Sequence, residues 1–263
     1  MNIEKIQSAL ELKTRRWWFF LLFILIQFIP PYVSKGFEWS DIQAVVMEIF
    51  NNSLYVSCTA LYPLFKIIPV LLIISIIFFR NRVVRPFAVY VGITYVLFAV
   101  LQNIAVTENY GLGITVNTLL VFVIVAAFWF WEAIAKKNDF TLQKIPVWRY
   151  WVVPFAFLAF WYPLNPATMM PDFSVSHLFT NAAGLAFCMM TPVYLALLTL
   201  YYPRVNVAAL RVTSLVGVII GFWNMVVSFV IDPSLLWWNG VVHIPLLTIS
   251  IYGLVLSLRM RRS

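Results

Sequence analysis

Lys66 is the residue whose chemistry stands furthest from its surroundings. It sits in the apolar run 57–80, followed by Ile67, Ile68 and Pro69. An ammonium at membrane depth is costly and marks a functional hypothesis. Three roles compete for it: pairing with an outer carboxylate such as Glu108 or Asp232, binding an anionic substrate or head group, or snorkelling outward on its long stem. Glu132 lies near the end of another apolar run, four residues before Lys136. That is the spacing of an ordinary helical ion pair.

His177 and His243 are the chain's two histidines. With Glu108, Asp172 and Asp232 they fall at the ends of apolar runs, on what the loop charges make the outer side. Two His plus carboxylates are the donors of a metal site with an open position, and two His can ligate a haem. No HxH, HxxxH or HExxH spacing occurs, so no metal ligand is assigned. Polar capping at a water boundary accounts for the same residues. The candidate ligand-binding set is Lys66, Glu108, Asp172, His177, Asp232 and His243. No catalytic residue is assigned, and the cofactor stays open.

Several chemistries find no support in the residues. GxGxxG and GxxxxGK[ST] are absent, which removes the usual nucleotide cradles. GxSxG is absent, and with it the usual serine elbow. No apolar run carries carboxylates at i, i+3 or i, i+4 for Mg²⁺. No Asp or Glu lies mid-run, as a proton relay requires.

The elements that position these residues follow from composition. Hydrophobic residues make up 63% of the chain and charged residues 11%, with a mean hydropathy of +0.91. A soluble domain is near half apolar and a quarter charged. The net charge of +8 falls in short clusters between apolar runs, which is a topology signal. A nucleic-acid face needs a contiguous basic patch, so nucleic acid is not an expected partner. Cys58 and Cys188 are too few for a disulfide framework and read as buried thiols.

The pattern predicts an all-α, polytopic membrane bundle of about eight transmembrane helices. The expected spans are 17–33, 57–80, 84–106, 112–134, 147–163, 179–202, 207–231 and 240–258, each near the length that crosses a hydrocarbon core. Met1 to Arg16 is too long and too mixed in charge for a signal-peptide n-region, and no small-residue cleavage site follows the first run. That run is expected to remain as a span. Of the 18 Lys and Arg, all but Lys35 and Lys66 fall on one side of the eight-span scheme. Positive-inside reasoning makes that side the cytoplasm and puts both termini there. Residues 1–16 place Ile3, Ile6 and Leu10 on one helical face and read as a cytoplasmic interfacial helix. The segment 37–53 is amphipathic too and reads as an outer helix covering the bundle, with Ser40 and Gln43 as a capping box.

The two halves, about 17–134 and 147–258, resemble each other. Arg16 and Arg149 open the first span of each, and Pro30 and Pro163 follow each Arg at the same distance. Cys58 answers Cys188, Arg85 answers Arg211, and Gly92 answers Gly217. Four spans per half makes this a parallel 4+4 repeat about an axis along the membrane normal. The dense aromatics are read chiefly as interfacial belts.

Three functions fit. The first is binding or transport of a small molecule through a site open to the outer face between the halves, because repeat-built bundles place sites at that joint. The second is a non-catalytic membrane subunit of a larger complex, which the poverty of buried charge favours. The third is a membrane enzyme acting on a lipid or quinone-like substrate at the outer boundary. The implied partners are the lipid bilayer, a small-molecule ligand and partner subunits.

Overall fold

The computed structural model describes residues 2–259 and is predominantly helical. Arg261 and Arg262, two of the charges expected to close the inner side, lie outside the described residues. In lipid a backbone must satisfy its own polar groups, which selects helices for apolar runs of this length. Among the described residues, four helical runs are long and apolar enough to cross a membrane: Thr59–Leu101, Val116–Ala135, Val207–Ile231 and Pro233–Arg259. A fifth crossing exists if His177–Leu185 and Phe187–Tyr201, which meet at 94°, form one span. These runs mark a polytopic membrane protein.

The helices are α1 (Ile3–Thr14), α2 (Trp17–Ile26), α3 (Ile42–Asn51), α4 (Tyr62–Phe79), α5 (Val84–Leu101), α6 (Val116–Ala135), α7 (Val152–Trp161), α8 (His177–Thr180), α9 (Phe187–Tyr201), α10 (Val207–Val226) and α11 (Pro233–Arg259). Two expected spans are shorter than a full crossing. α2 and α7 have 10 residues each, about 15 Å of axis against a core of about 30 Å. Prolines set their limits: Pro30 and Pro31 follow α2, and Pro163 follows Tyr162, whose φ of +52° ends α7. The run Thr59–Leu101 breaks at Arg80, which has φ +52° and opens a 3-10 turn over Arg80–Val83.

The expectation of a purely helical chain needs correcting. Strands β1 (Tyr32–Val33), β2 (Ile104–Thr107) and β3 (Gly111–Ile114) form an antiparallel sheet in the order β1-β3-β2. Ile104 pairs with Ile114 and Thr107 with Gly111, while Tyr32 also pairs with Ile114. These strands occupy the ends of three expected spans, where Gly111 at φ +70° turns the chain back. α3 lies on this sheet, with Val45 and Ile49 fully buried alongside Val33 and Ala105. Segment 37–53 therefore covers a sheet that the sequence reading did not contain. Ser40 bonds the Asp41 carboxylate at 3.1 Å and makes no capping bond to the backbone.

The core lies among α5, α6, α9, α10 and α11. α9 is buried along almost its whole length, and α5 packs most extensively on α6, as α10 does on α11. Side-chain hydrogen bonds join helices inside this core: Tyr95 to Thr191 at 2.9 Å, Thr94 to Tyr194 at 3.1 Å, and Trp129 to Thr213 at 3.1 Å. Such bonds are the polar glue of helices in lipid. Phe87 meets Trp129, Phe140 and Tyr194 edge to face, and Phe122 stacks on Phe187 at 4.3 Å. Much of the aromatic load is thus core packing rather than belt.

α4 stands at the edge. It buries only Tyr62, Lys66, Pro69 and Ile76. α1 docks on α10, α6 and α2, and its fully buried positions are polar, Gln7 and Thr14.

Candidate functional site

The site residue with the most unusual environment is Lys66, and its place is set by how α7 ends. A helix leaves its last carbonyls without intrahelical partners, and in an apolar setting each must find a donor. Three side chains from other elements reach the end of α7. The Lys66 ammonium donates to the Phe160 carbonyl. Asn181 Nδ2 donates to the carbonyls of Trp161 and Tyr162 at 2.8 and 3.0 Å. Trp238 Nε1 donates to Pro163 at 2.6 Å. A cation at a helix C-terminus also meets the negative end of its dipole.

Lys66 is 1% exposed. Its ammonium lies over the Phe160 ring, 4.4 Å from the centroid, a favourable cation–π placement. Among the described residues no carboxylate pairs with it, so neither Glu108 nor Asp232 is its partner. Snorkelling to the surface is overturned by its burial.

Two features hold α4 against the turn that precedes α9. Pro69 lacks an N–H and so leaves the Phe65 carbonyl without its helical bond. Gly184, just before the bend into α9, approaches that carbonyl so closely that a Cβ there would sit 2.5 Å from the oxygen. Only glycine admits this contact.

The other candidate residues occupy separate places. Asp172 and His177 come together, with Oδ2 and Nε2 3.5 Å apart. The Ser174 hydroxyl and N–H, at 2.6 and 3.0 Å, hold the Asp172 carboxyl below the usual carboxylate range, and His177 acts in the same direction. His177 Nδ1 is buried without a hydrogen-bond partner. Glu108 is exposed on the β2–β3 turn, where its carbonyl accepts from Lys35 Nζ at 2.5 Å. Asp232 accepts from Leu235 N at 3.2 Å and Ser234 Oγ at 2.9 Å, and so caps α11 just before Pro233. His243 is 6% exposed, inside α11, with Nδ1 2.6 Å from the Asn239 carbonyl. Among the described residues, no hydrogen bond or ion pair links Lys66, Glu108, Asp232 or His243 to another member of the set. No three His, Cys, Asp or Glu side chains there converge as a metal site would need.

A second polar cluster was not singled out by sequence. Glu132 is fully buried and does not pair with Lys136, whose φ of +51° ends α6 and turns it off the helical face. The carboxylate accepts instead from Asn138 N at 2.8 Å, Lys137 N at 3.2 Å and Asn206 Nδ2 at 2.8 Å. Asn206 Oδ1 accepts from Gln7 Nε2 at 3.0 Å and caps α10 through Ala208 and Ala209. Gln7 Oε1 accepts from Trp131 Nε1 at 2.7 Å. Asn206 before an apolar run was a legible cap signal; the pairing of its amide with Glu132 was not. These bonds tie α1, α6 and α10 together, so the cluster acts as a joint between them.

Comparison of the chain with protein-family models, with curated proteins and with solved structures finds no match.

Proposed function

We propose that this protein crosses the membrane eight times as two parallel four-span halves, with both termini in the cytoplasm. On this reading it binds or carries a small anionic molecule at a site reached from the outer face, at the end of α7. The observation that carries the reading is that Lys66 is buried with no carboxylate partner among the described residues. A buried ammonium needs an opposite charge, and here a carbonyl takes one of its three protons while a ring faces it. An anionic ligand would supply what the chain does not. Broken helices at a joint between repeats are also where transporters place substrates, and the α8–α9 bend adjoins α4 at Gly184.

Several features support the finer architecture. The break at Arg80 divides 43 residues, about 65 Å of axis, into two lengths of about 27 Å. Gly92 lets the Phe130 ring approach α5, and Gly217 lets Ser250 approach α10, so matched glycines serve matched pairs. Pro69 and Pro192 lie inside α4 and α9, the helices of the second expected span in each half. The halves diverge at the sheet, present only in the first, and at Arg85, exposed where Arg211 is buried. With this topology, and with Cys58 and Cys188 both replaced by Ser, a membrane-impermeant thiol reagent should label Asn109→Cys in intact cells and leave Asn2→Cys unlabelled. The reverse pattern, or equal labelling, rules the orientation out.

Native mass spectrometry of protein extracted from its own membrane tests the site. Wild type should carry one anionic adduct per chain. Lys66→Met should lower its occupancy about tenfold, and Lys66→Arg should keep it. Identical adducts on wild type and Lys66→Met would end this reading. A second reading, a non-catalytic subunit of a membrane complex, would then stand, because Lys66 already serves as a cap for α7.

A further inference from the structure

Four arginines gather at the end of the bundle opposite Lys66. Arg149 stands in the 3-10 turn Val147–Trp151 before α7, Arg211 lies one turn into α10, Arg259 is the last residue of α11, and Arg15 caps α1. Two phenols mark where they meet. Tyr202 lies in the field of Arg149, Arg211 and Arg259, and Tyr252 in that of Arg149 and Arg259. Arg15 in turn acts on Arg211.

Helix ends account for part of this arrangement. Arg149 Nη1 donates to the Tyr202 carbonyl at 2.6 Å, Arg211 Nη2 to that of Ser257 at 2.7 Å, and Arg15 Nη2 to that of Leu258 at 3.1 Å. Carbonyls at a helix C-terminus favour a cation but do not neutralise it. Among the described residues, Arg149, Arg211 and Arg259 form no ion pair. The carboxylate in range of Arg211 is Glu11, which accepts from Gln7 Nε2 at 2.7 Å. Four guanidiniums and this one carboxylate leave a net positive charge. The hydrogen bonding is incomplete as well. Arg149 Nε, Arg211 Nε and the Tyr252 hydroxyl are buried without a partner among the described residues. Native structures leave few buried polar atoms unpaired, and here three fall in one cluster.

The cluster has an open side. Arg211 is 3% exposed and supplies its charge from behind. Arg149 is half-buried and Arg259 exposed, so a ligand can touch both. Aromatic rings frame them. The Arg149 guanidinium lies 5.5 Å from the Trp148 ring centroid and 6.0 Å from that of Tyr202. Trp148 and Trp151 meet Tyr252 edge to face, at 6.2 and 5.3 Å. Val147 and Trp148 beside Arg149 are themselves exposed, as an interfacial belt requires.

We propose that Arg149 and Arg259, backed by Arg211, bind the phosphate of an anionic lipid headgroup at the membrane boundary. A guanidinium fork matches phosphate oxygens in pairs, and basic pockets between helices are suited to such headgroups. The inference is separate from the reading of Lys66. With the proposed topology, this lipid belongs to the inner leaflet.

Phenylglyoxal modifies arginine side chains, and peptide mass spectrometry reads each arginine separately. The full-length protein in a neutral detergent is treated alone, with dioleoylphosphatidylglycerol, with dioleoylphosphatidylcholine, or with inorganic phosphate. Phosphatidylglycerol should slow modification of Arg149 and Arg259 about tenfold. It should leave Arg82, exposed in the turn after α4, unchanged. Phosphatidylcholine and inorganic phosphate should protect neither arginine. Arg259→Gln should raise the phosphatidylglycerol concentration that protects Arg149 about tenfold, and Arg149→Gln should do the same for Arg259. Arg259 is exposed at the last residue of its helix, so its replacement tests binding without disturbing the fold. Equal protection by phosphatidylcholine, or equal protection of Arg82, would overturn the site. Protection by inorganic phosphate would give the arginines to a soluble anion and overturn the lipid assignment.

Discussion

Glu132→Leu should destabilise the protein by about 3–5 kcal/mol, the cost of leaving two buried N–H groups and one amide without an acceptor. The acceptor is the carboxylate that takes Lys137 N, Asn138 N and Asn206 Nδ2. Leucine matches the volume roughly and supplies none of these bonds. Glu132→Gln keeps one acceptor oxygen and should lose about 1–2 kcal/mol. The contrast between the two variants is the informative quantity. It is measured by unfolding the purified protein in mixed micelles with increasing sodium dodecyl sulfate. Equal losses for Leu and Gln would show that charge, rather than acceptance, is what Glu132 contributes.

Arg211→Met should detach α1. The guanidinium donates to the Glu11 carbonyl at 3.0 Å, to Thr14 Oγ1 at 2.7 Å and to the Ser257 carbonyl at 2.7 Å. It therefore ties α1 and the end of α11 to α10. Hydrogen bonds to a charged group contribute about 1.5–3 kcal/mol each, and methionine preserves only the apolar stem. The expected loss is about 3 kcal/mol or more, concentrated at the docked helix. Trypsin should then cut at Lys13, Arg15 and Arg16 well before the bundle unfolds, at least tenfold faster than in wild type. Unchanged cleavage would mean that the other contacts of α1, the Gln7 bonds to Asn206 and Trp131 and the Glu4–Lys137 ion pair, keep it in place.

These two hubs mark where sequence reading ends. Apolar length located the long helices well: 84–106 was expected where α5 and β2 together occupy Val84–Thr107, and 207–231 matches a run that ends in a short π-helical turn. Hydropathy counts residues and does not see the backbone change from helix to strand, so the sheet was absorbed into span ends. The Asp232-Pro233 start of α11 followed a readable cap rule, yet the expected span began only at residue 240. Lys66 stood out because its charge is intrinsic to its type. Its partner did not, because a carbonyl at the end of another helix carries no side-chain signature. Glu132 was misread for a related reason. The i, i+4 rule assumes that the helix continues, and Lys136 is where it stops. His177 and Asp172 are five residues apart and met as local geometry allows, whereas contacts for the remaining members depended on tertiary placement.

The meeting of Pro69 with Gly184 has a consequence for how this protein can change over generations. Proline frees the Phe65 carbonyl, and glycine alone can lie against it. Any side chain at 184 pushes α4 away, and an amide at 69 draws the carbonyl back into its own helix. Neither position can drift by itself without loosening the seam between them. In hereditary terms the two residues are one character written in two places, and descendants that keep α4 on the bundle should keep or replace them as a pair.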